Sequence, residues 1–286
     1  MLIPTKPSSK TGTDQRFAAN RMRRTILEMA YTGSTAHIGC AFSIIELISV
    51  LYRNHLRYPG NDPRAEGRDF LILSKGHGVM AQYACMHELG WLNDTHIQNY
   101  FKDGSQLKGL SDSRIPGLEV TSGSLGHGFS VGVGIALGLK RKGTDQKVFA
   151  IVGDGELNEG PIWEGALVAA HHRMDNLMLI IDKNGFQAMG TTEEILTLGD
   201  LASKFESFGF ATMEIDGHHE VEIDTGIRQL WKTSPGKPKA LIARTVKGKG
   251  VPFMESDNHW HYTRLDAHTY SEAIKALGLP IDYLSI

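Results

Sequence analysis

The chain has 286 residues, and its 30 lysines and arginines face 32 aspartates and glutamates, so the formal net charge at neutral pH is −2. This near balance, without a block of like charges, argues against nucleic-acid binding by bulk electrostatics and against a polybasic membrane anchor. A hydrophobic fraction of 41% and a charged fraction of 22% are typical of a folded protein and exclude wholesale disorder. Glycine is frequent, with 32 residues, which indicates tight turns or close backbone approach.

The ends and the cysteines give expectations about compartment and domains. Cys40 and Cys85 are too few for a disulfide framework or a four-cysteine metal site. Residues 1–13 are polar and lack the apolar core of a signal peptide, so we expect a polar tail followed by a single domain over 14–286. No apolar run approaches the ~18 residues that span a bilayer. We therefore expect a reduced, cytoplasmic protein without membrane or nucleic-acid partners.

Short apolar segments alternate with segments of helical periodicity along the chain. Continuous apolar runs predict buried parallel strands over 70–74, 147–152, 177–182, 211–215 and 239–245. Helical spacing predicts helices over 15–31, 43–55, 77–90, 126–142, 158–173, 199–208, 219–233 and 270–277. The alternation predicts an α/β fold with a doubly wound, mostly parallel sheet and helices on both faces. In such folds, ligands bind beyond the carboxyl ends of the strands.

The most specific motif follows the second predicted strand, which ends in Gly153, Asp154 and Gly155. Without a Cβ, Gly155 lets an anion approach the backbone, and the helix start that follows offers free N–H groups to a phosphate. The third strand ends just before Asn184, and neighbouring strands would bring Asp154 and Asn184 to one ion. With a main-chain carbonyl near Phe186, this oxygen set suits Mg²⁺, or Ca²⁺ as a substitute. The alternative is an ordinary strand-to-helix turn with an acidic cap.

These motifs resemble the thiamine-diphosphate-binding motif of the transketolase family, and the resemblance runs from about Arg16 to the C-terminus. Three further segments support it, at 36–39, 74–78 and 123–128. The resemblance implies thiamine diphosphate and Mg²⁺ as cofactors, with metal ligands Asp154, Asn184 and the Phe186 carbonyl. The implied cofactor-binding residues are His77, Gly123, Ser124, Leu125, Gly153, Asp154, Gly155, Glu156, Asn184 and His261.

Three of the 13 histidines are implied to be catalytic by the same resemblance. His77 follows the first strand through a Lys-Gly turn and would reach the diphosphate. His37 would contact a substrate hydroxyl, and a structural histidine in the core is the alternative. His261 would reach both the diphosphate and the donor, although the neighbouring His259 competes for that assignment. His127 stands where many family members carry glutamine and is a further polar candidate.

A full transketolase is more than twice as long as this chain, and its second domain binds the aminopyrimidine of the cofactor. The resemblance therefore implies the N-terminal, diphosphate-binding subunit of a split transketolase encoded by two genes. A separate subunit with pyrimidine-binding and C-terminal domains would complete the active site, as an α₂β₂ heterotetramer.

The implied reaction transfers a two-carbon ketol unit from a ketose or ketose phosphate to an aldose. Imidazole groups suit the proton transfers, and the cofactor supplies the electron-sink chemistry. Many transketolases carry a histidine where this chain has Leu110, which favours a deoxy, branched or otherwise unusual donor. Two alternatives stay open: a deoxyxylulose-phosphate-synthase-like carboligase that decarboxylates an α-keto acid, and a non-catalytic cofactor-binding module.

Overall fold

The structure, a computed structural model, describes residues 16–33 and 37–280. The predicted tail over 1–13, the domain boundary beside it and residue 36 lie outside these ranges. Five strands, β1 (Phe70–Leu73), β2 (Val148–Gly153), β3 (Leu177–Lys183), β4 (Ala211–Asp216) and β5 (Lys239–Arg244), form one sheet. All neighbouring pairs are parallel, in the order β1-β2-β3-β5-β4. The predicted α/β architecture is confirmed.

Four of the strands, β1, β2, β3 and β5, are mostly apolar because helices cover both faces of the sheet, whereas the edge strand β4 is only partly buried. Phe149 and Ile151 of β2 belong to one buried cluster, whereas Val148, Ala150 and Val152 belong to the cluster on the opposite face. Side chains alternate between the two faces of a strand, so two cores require a continuous apolar run. This burial explains why the strands could be recognised from the sequence.

Eight helices were predicted, and the described residues form eleven, because three short helices were not predicted. The eleven are α1 (Ala19–Thr32), α2 (Ile38–Phe42), α3 (Ile45–Val50), α4 (Val79–Glu88), α5 (Asp94–Gln98), α6 (His127–Lys142), α7 (Gly160–His171), α8 (Thr192–Ile195), α9 (Leu201–Ser207), α10 (Glu220–Thr233) and α11 (Ala267–Ala276). Short 3₁₀ turns lie at Pro59–Asn61, Gly76–Gly78, Gly155–Asn158 and Asn258–His261, and a π-helical turn covers Leu51–His55. No helix within the described ranges is long and apolar enough to cross a membrane.

The predicted helix over 43–55 corresponds to α3 and the π-helical turn that continues it, whereas α2 just before it was not predicted. Ser43, the C-cap of α2, lies at the break between α2 and α3. The Ser43 hydroxyl donates to the Cys40 carbonyl at 3.1 Å and to the Asp182 carboxylate at 2.7 Å. The break therefore places a polar side chain against the end of β3, which hydrophobic periodicity does not reveal.

The parallel register places the ends of β2 and β3 side by side. Gly153 pairs with Asp182, and the Asp154 N–H donates to the Asp182 carbonyl at 3.1 Å, one residue beyond the strand. The carboxyl end of β1 lies next to β2, so the turn that carries His77 opens at the same edge. The topology thus brings three strand ends, and the motifs that follow them, to one place.

Candidate active site

A cavity of about 450 Å³ lies beyond the carboxyl ends of β1, β2 and β3. It is lined by most of the predicted site residues, namely His37, His77, Leu110, Gly123, Leu125, Gly153, Asp154, Gly155, Glu156, Asn184, Phe186 and His261. Ser124 is exposed and does not line this cavity, so the predicted cofactor contact of Ser124 has no support from its position. The volume lies within the ~300–1,000 Å³ typical of small-molecule sites.

The predicted metal ligands sit together at one corner of this cavity. The Asp154 carboxylate accepts hydrogen bonds from the N–H of Gly155 at 2.8 Å and of Gly185 at 2.6 Å. The Asn184 carboxamide oxygen accepts the N–H of Phe186 at 3.0 Å. Gly185 adopts φ +82°, a conformation that favours glycine, and so turns its N–H towards Asp154. The turn after β3 is thereby fastened to the turn after β2.

The residues present fit thiamine diphosphate and a divalent cation. Carboxylate and carboxamide oxygens have further lone pairs beyond the hydrogen bonds that they accept, so both side chains can also hold a hard cation. A Cβ at Gly155 would lie 2.8 Å from the Gln187 side chain, so this wall has no room for a larger residue. The buried Gln187 Nε2 lacks a hydrogen-bond partner among the described residues and lies in a side chain that lines the cavity. Such a donor suits an anionic ligand.

Burial and a neighbouring negative charge both raise the pKa of Asp154. Its pKa is raised to about 6, first by burial and then by the neighbouring Asp182 carboxylate. A divalent cation would remove this penalty, because a positive charge favours the ionised carboxylate. The raised pKa therefore fits a carboxylate that serves as a ligand to a cation.

Asp182, at the end of β3, binds several polar side chains beneath the cavity. Its carboxylate accepts hydrogen bonds from Lys75 at 2.5 Å, from Asn184 at 2.9 Å and from the hydroxyl of Thr245. Burial alone would raise the pKa of Asp182, but the charge of Lys75 outweighs it and the pKa is lowered. Asp182 thus orients Asn184 without reaching the cavity itself.

Glu156 lines the cavity, and its carboxylate is bound by groups of the protein itself. Its carboxylate is 2% exposed and accepts hydrogen bonds from Ser74 Oγ at 2.5 Å, Gly126 N at 2.8 Å and Gly153 N at 3.2 Å. These partners belong to the end of β2, to the turn after β1 and to the turn before α6. The Glu156 side chain therefore clamps the turns together.

The three predicted catalytic histidines converge in the wall of the same cavity. The ring centroids of His37 and His77 are 5.2 Å apart, and the ring of His261 lies 5.6 Å from each. Burial, followed by the charge of Lys247, lowers the pKa of His37 to about 4 and that of His261 to about 3. Burial and Lys75 lower the pKa of His77 well below its usual value. All three rings are neutral at physiological pH.

Among the other histidine candidates, neither His127 nor His259 lines the cavity. The His127 ring is exposed and lies 3.0 Å from the Leu125 carbonyl oxygen. His259 is exposed and packs edge-on against the Trp260 ring. The position of His261 in the wall of the cavity favours it over its neighbour.

Sequence reasoning missed three side chains at this site, Lys75, Lys247 and Cys40. Lys75 and Lys247 are each 1% exposed, and Lys247 donates to His261 Nδ1 at 2.9 Å. The Cys40 sulfur lies 3.6 Å from the same nitrogen, and burial raises the pKa of its thiol. Lysine in a Lys-Gly turn after an apolar strand was the available signal for Lys75. For Cys40 and Lys247, residue type and spacing gave none.

Comparison with known proteins agrees with this geometry. Residues 14–283 match the family model described as "Transketolase, thiamine diphosphate binding domain". An apulose-4-phosphate transketolase subunit of Phocaeicola vulgatus is 35% identical, over 93% of this chain and 94% of that protein. A 6-deoxy-6-sulfo-D-fructose transketolase subunit of Clostridium sp. is also 35% identical, over 94% of this chain and 98% of that protein.

Solved structures show the same fold. The transketolase of Campylobacter jejuni superposes with a TM-score of 0.84 at 27% identity, over 93% of this chain. The match covers 42% of that longer chain, so this chain spans less than half of the full-length enzyme. It covers nearly the whole of the two relatives from Phocaeicola vulgatus and Clostridium sp.. The chain therefore belongs to the transketolase family and corresponds to the N-terminal subunit of a split transketolase.

Proposed function

We propose that this chain binds thiamine diphosphate and Mg²⁺ in the cavity beyond β1, β2 and β3. Asp154, Asn184 and the Phe186 carbonyl would hold the cation, and Gly153, Gly155 and His77 would border the diphosphate. The observation that carries the proposal is the convergence of these groups with three neutral histidines in one cavity. When bound, the cofactor supplies the electron sink for cleaving a carbon–carbon bond next to a carbonyl.

The protein groups would orient the sugar and move protons during ketol transfer. His37, His77 and His261 are neutral, so each ring has one nitrogen that donates and one that accepts, and in His261 Lys247 occupies the accepting nitrogen and leaves the donor. That pair of roles suits the hydroxyl and carbonyl groups of a ketose. Loss of one such group is expected to lower the rate roughly 10²–10⁴-fold. His37→Asn in the assembled enzyme tests this, and a change below threefold would contradict it.

We propose that the donor is an unusual ketose, because Leu110 lines the cavity and is 39% exposed. A donor hydroxyl against this apolar side chain would lose a hydrogen bond, at a cost of ~1–3 kcal/mol. The relatives named after apulose 4-phosphate and 6-deoxy-6-sulfo-D-fructose are compatible with such donors. A donor screen in which xylulose 5-phosphate outperforms every branched or deoxy ketose would contradict this proposal.

We further propose that a second chain with the pyrimidine-binding and C-terminal domains completes the site in an α₂β₂ assembly, within the cytoplasm. The names of the relatives, which call each of them one subunit of a transketolase, and the length of the full enzyme support a partner. The test is to assay ketol transfer with this chain alone and with a separately produced partner subunit. Activity only in the mixture is expected, whereas robust turnover by the isolated chain would refute the proposal.

A further inference from the structure

The loop that follows β5 contacts His261, which lines the cavity. Its residue Lys247 donates to His261 Nδ1 at 2.9 Å and to Asn258 Oδ1 at 2.5 Å. Because a lysine ammonium only donates hydrogen bonds, the Nδ1 lone pair of His261 is occupied and the ring proton resides on Nε2. The position of Lys247 therefore sets both the orientation and the tautomer of His261.

A second histidine, outside the cavity, holds this loop. The N–H of Val246 donates to His218 Nε2 at 2.8 Å, and His218 Nδ1 lies 2.9 Å from Glu46 Oε2. Burial alone would raise the pKa of Glu46, but the hydrogen bond from His218 and the charge of Arg23 outweigh it and the pKa is lowered. The ionised carboxylate only accepts, so His218 carries its proton on Nδ1. This is the opposite tautomer from that of His261.

Glu46, which contacts His218, is itself held in the core by Arg23. Glu46 also accepts from Arg23 at 2.7 Å, and the side chains of both residues are buried. The relay thus runs from Arg23 and Glu46 through His218 to the main chain at Val246. From there, the next side chain along the loop reaches His261.

We propose that His218 is a positioning residue which, through Val246 and Lys247, holds His261 in the orientation and tautomer that it presents to the cavity. His218 lies outside the cavity lining and has no place in the proposed reaction. The significance of His261 rests on the proposed function, whereas the relay concerns contacts within this chain alone.

Other contacts keep the loop folded when His218 is replaced. Thr245 N donates to the Lys183 carbonyl at 3.1 Å, and Gly248 N donates to the Gly39 carbonyl at 3.1 Å. These bonds flank Val246 on both sides. Loss of the His218 acceptor therefore shifts the middle of the loop, where Lys247 begins, without releasing its ends.

The test is ¹⁵N NMR of the imidazole groups in the full chain, labelled on histidine and without cofactor. Difference spectra against His218→Phe and His261→Asn assign the two rings. In the unsubstituted chain we expect Nδ1 protonation for His218 and Nε2 protonation for His261. In His218→Phe we expect the His261 signals to shift towards those of Lys247→Met. His218→Gln is expected to restore them, because its carboxamide can accept from Val246 and donate to Glu46.

The matched control is His219→Gln, at the adjacent histidine, whose side chain is 59% exposed and lies 3.3 Å from Glu222. This substitution should leave the His261 signals unchanged. Unaltered His261 signals in His218→Phe, or the opposite tautomer at His218, would overturn the proposal.

A binding measurement links the relay to the cofactor. We expect His218→Phe to weaken thiamine diphosphate binding roughly tenfold, which corresponds to ~1.4 kcal/mol. In a Lys247→Met background the same substitution should change binding less than twofold, because the loop no longer carries the ammonium group. Equal losses in both backgrounds would contradict the relay. If the unsubstituted chain binds no thiamine diphosphate, the proposed function fails, and the NMR result still decides the relay.

Discussion

The buried pair of Lys75 and Asp182 allows a quantitative test of how the site is held. Lys75 is 1% exposed and Asp182 is fully buried, with 2.5 Å between Lys75 Nζ and Asp182 Oδ2. Lys75→Met removes the cation and leaves the carboxylate with its hydrogen bonds from Ser43, Asn184 and Thr245. Breaking one partner of a buried pair typically costs ~3–5 kcal/mol. Because three neutral donors remain, we expect a loss near the lower end, about 3 kcal/mol.

Urea unfolding followed by circular dichroism at pH 7 measures this loss. A loss of about 3 kcal/mol would be a large part of the ~5–15 kcal/mol by which a typical domain is stable against unfolding. Lys102→Met, at an exposed position, is the control and is expected to change stability by less than ~0.5 kcal/mol.

A double-mutant cycle with Asp182→Asn isolates the pairwise interaction. The double variant should lose less stability than the sum of the two single variants, since each single change leaves an uncompensated partner. A loss below ~1 kcal/mol for Lys75→Met would mean that the pair behaves like a solvated surface pair, and would refute the reasoning.

Two further predictions concern the same cavity. Burial lowers the pKa values of His37, His77 and His261 in the folded chain. The unfolded chain therefore binds more protons than the folded chain between pH 6.5 and 4. The free energy of unfolding should consequently decrease as the pH falls through this window. Urea unfolding at pH 7 and pH 5 should show a drop on the order of 1 kcal/mol per histidine after allowance for partial exposure, offset in part by Asp154, whose raised pKa acts in the opposite direction. A drop that persists unchanged in His77→Gln would contradict this prediction. Gly76→Ala should destabilise the chain by ~1–3 kcal/mol, because a Cβ would lie 1.5 Å from Ser122 Oγ. Adding Ser122→Gly to Gly76→Ala should restore part of the lost stability in the same assay. A Gly76→Ala variant as stable as the unsubstituted chain would contradict the close approach of Gly76 and Ser122 in the turn that carries His77.

The parts of the fold that could be predicted are those with a local cause. Strands β1, β2, β3 and β5 are buried on both faces, so their apolar runs were visible, and the motif after β2 pointed to the correct edge of the sheet. Helix α2 and the break that follows it at Ser43 were not predicted, and the Ser43 hydroxyl there bonds to Asp182, 139 residues away. The start of α11 was placed three residues late, although the capping box of Asp266 and Thr269 marked it.

The site was predictable in its ligands and much less so in its supports. Asp154 and Asn184 follow strands, so topology alone brought them together. The contacts of Lys75 with Asp182 and of His218 with Glu46 join positions 107 and 172 residues apart, which no spacing rule connects. Glu156 illustrates the limit: its place in the motif was correct, but the direction of its carboxylate depends on Gly126 and Ser74 from other turns.

The central claim is that an ion held by Asp154 fastens thiamine diphosphate to this chain. Isothermal titration calorimetry of thiamine diphosphate, with and without Mg²⁺, tests it most directly on the unsubstituted chain, Asp154→Ala and the exposed control Asp103→Ala. We predict Mg²⁺-dependent binding for the unsubstituted chain and the control, and its loss in Asp154→Ala. Normal Mg²⁺-dependent binding by Asp154→Ala would contradict the claim.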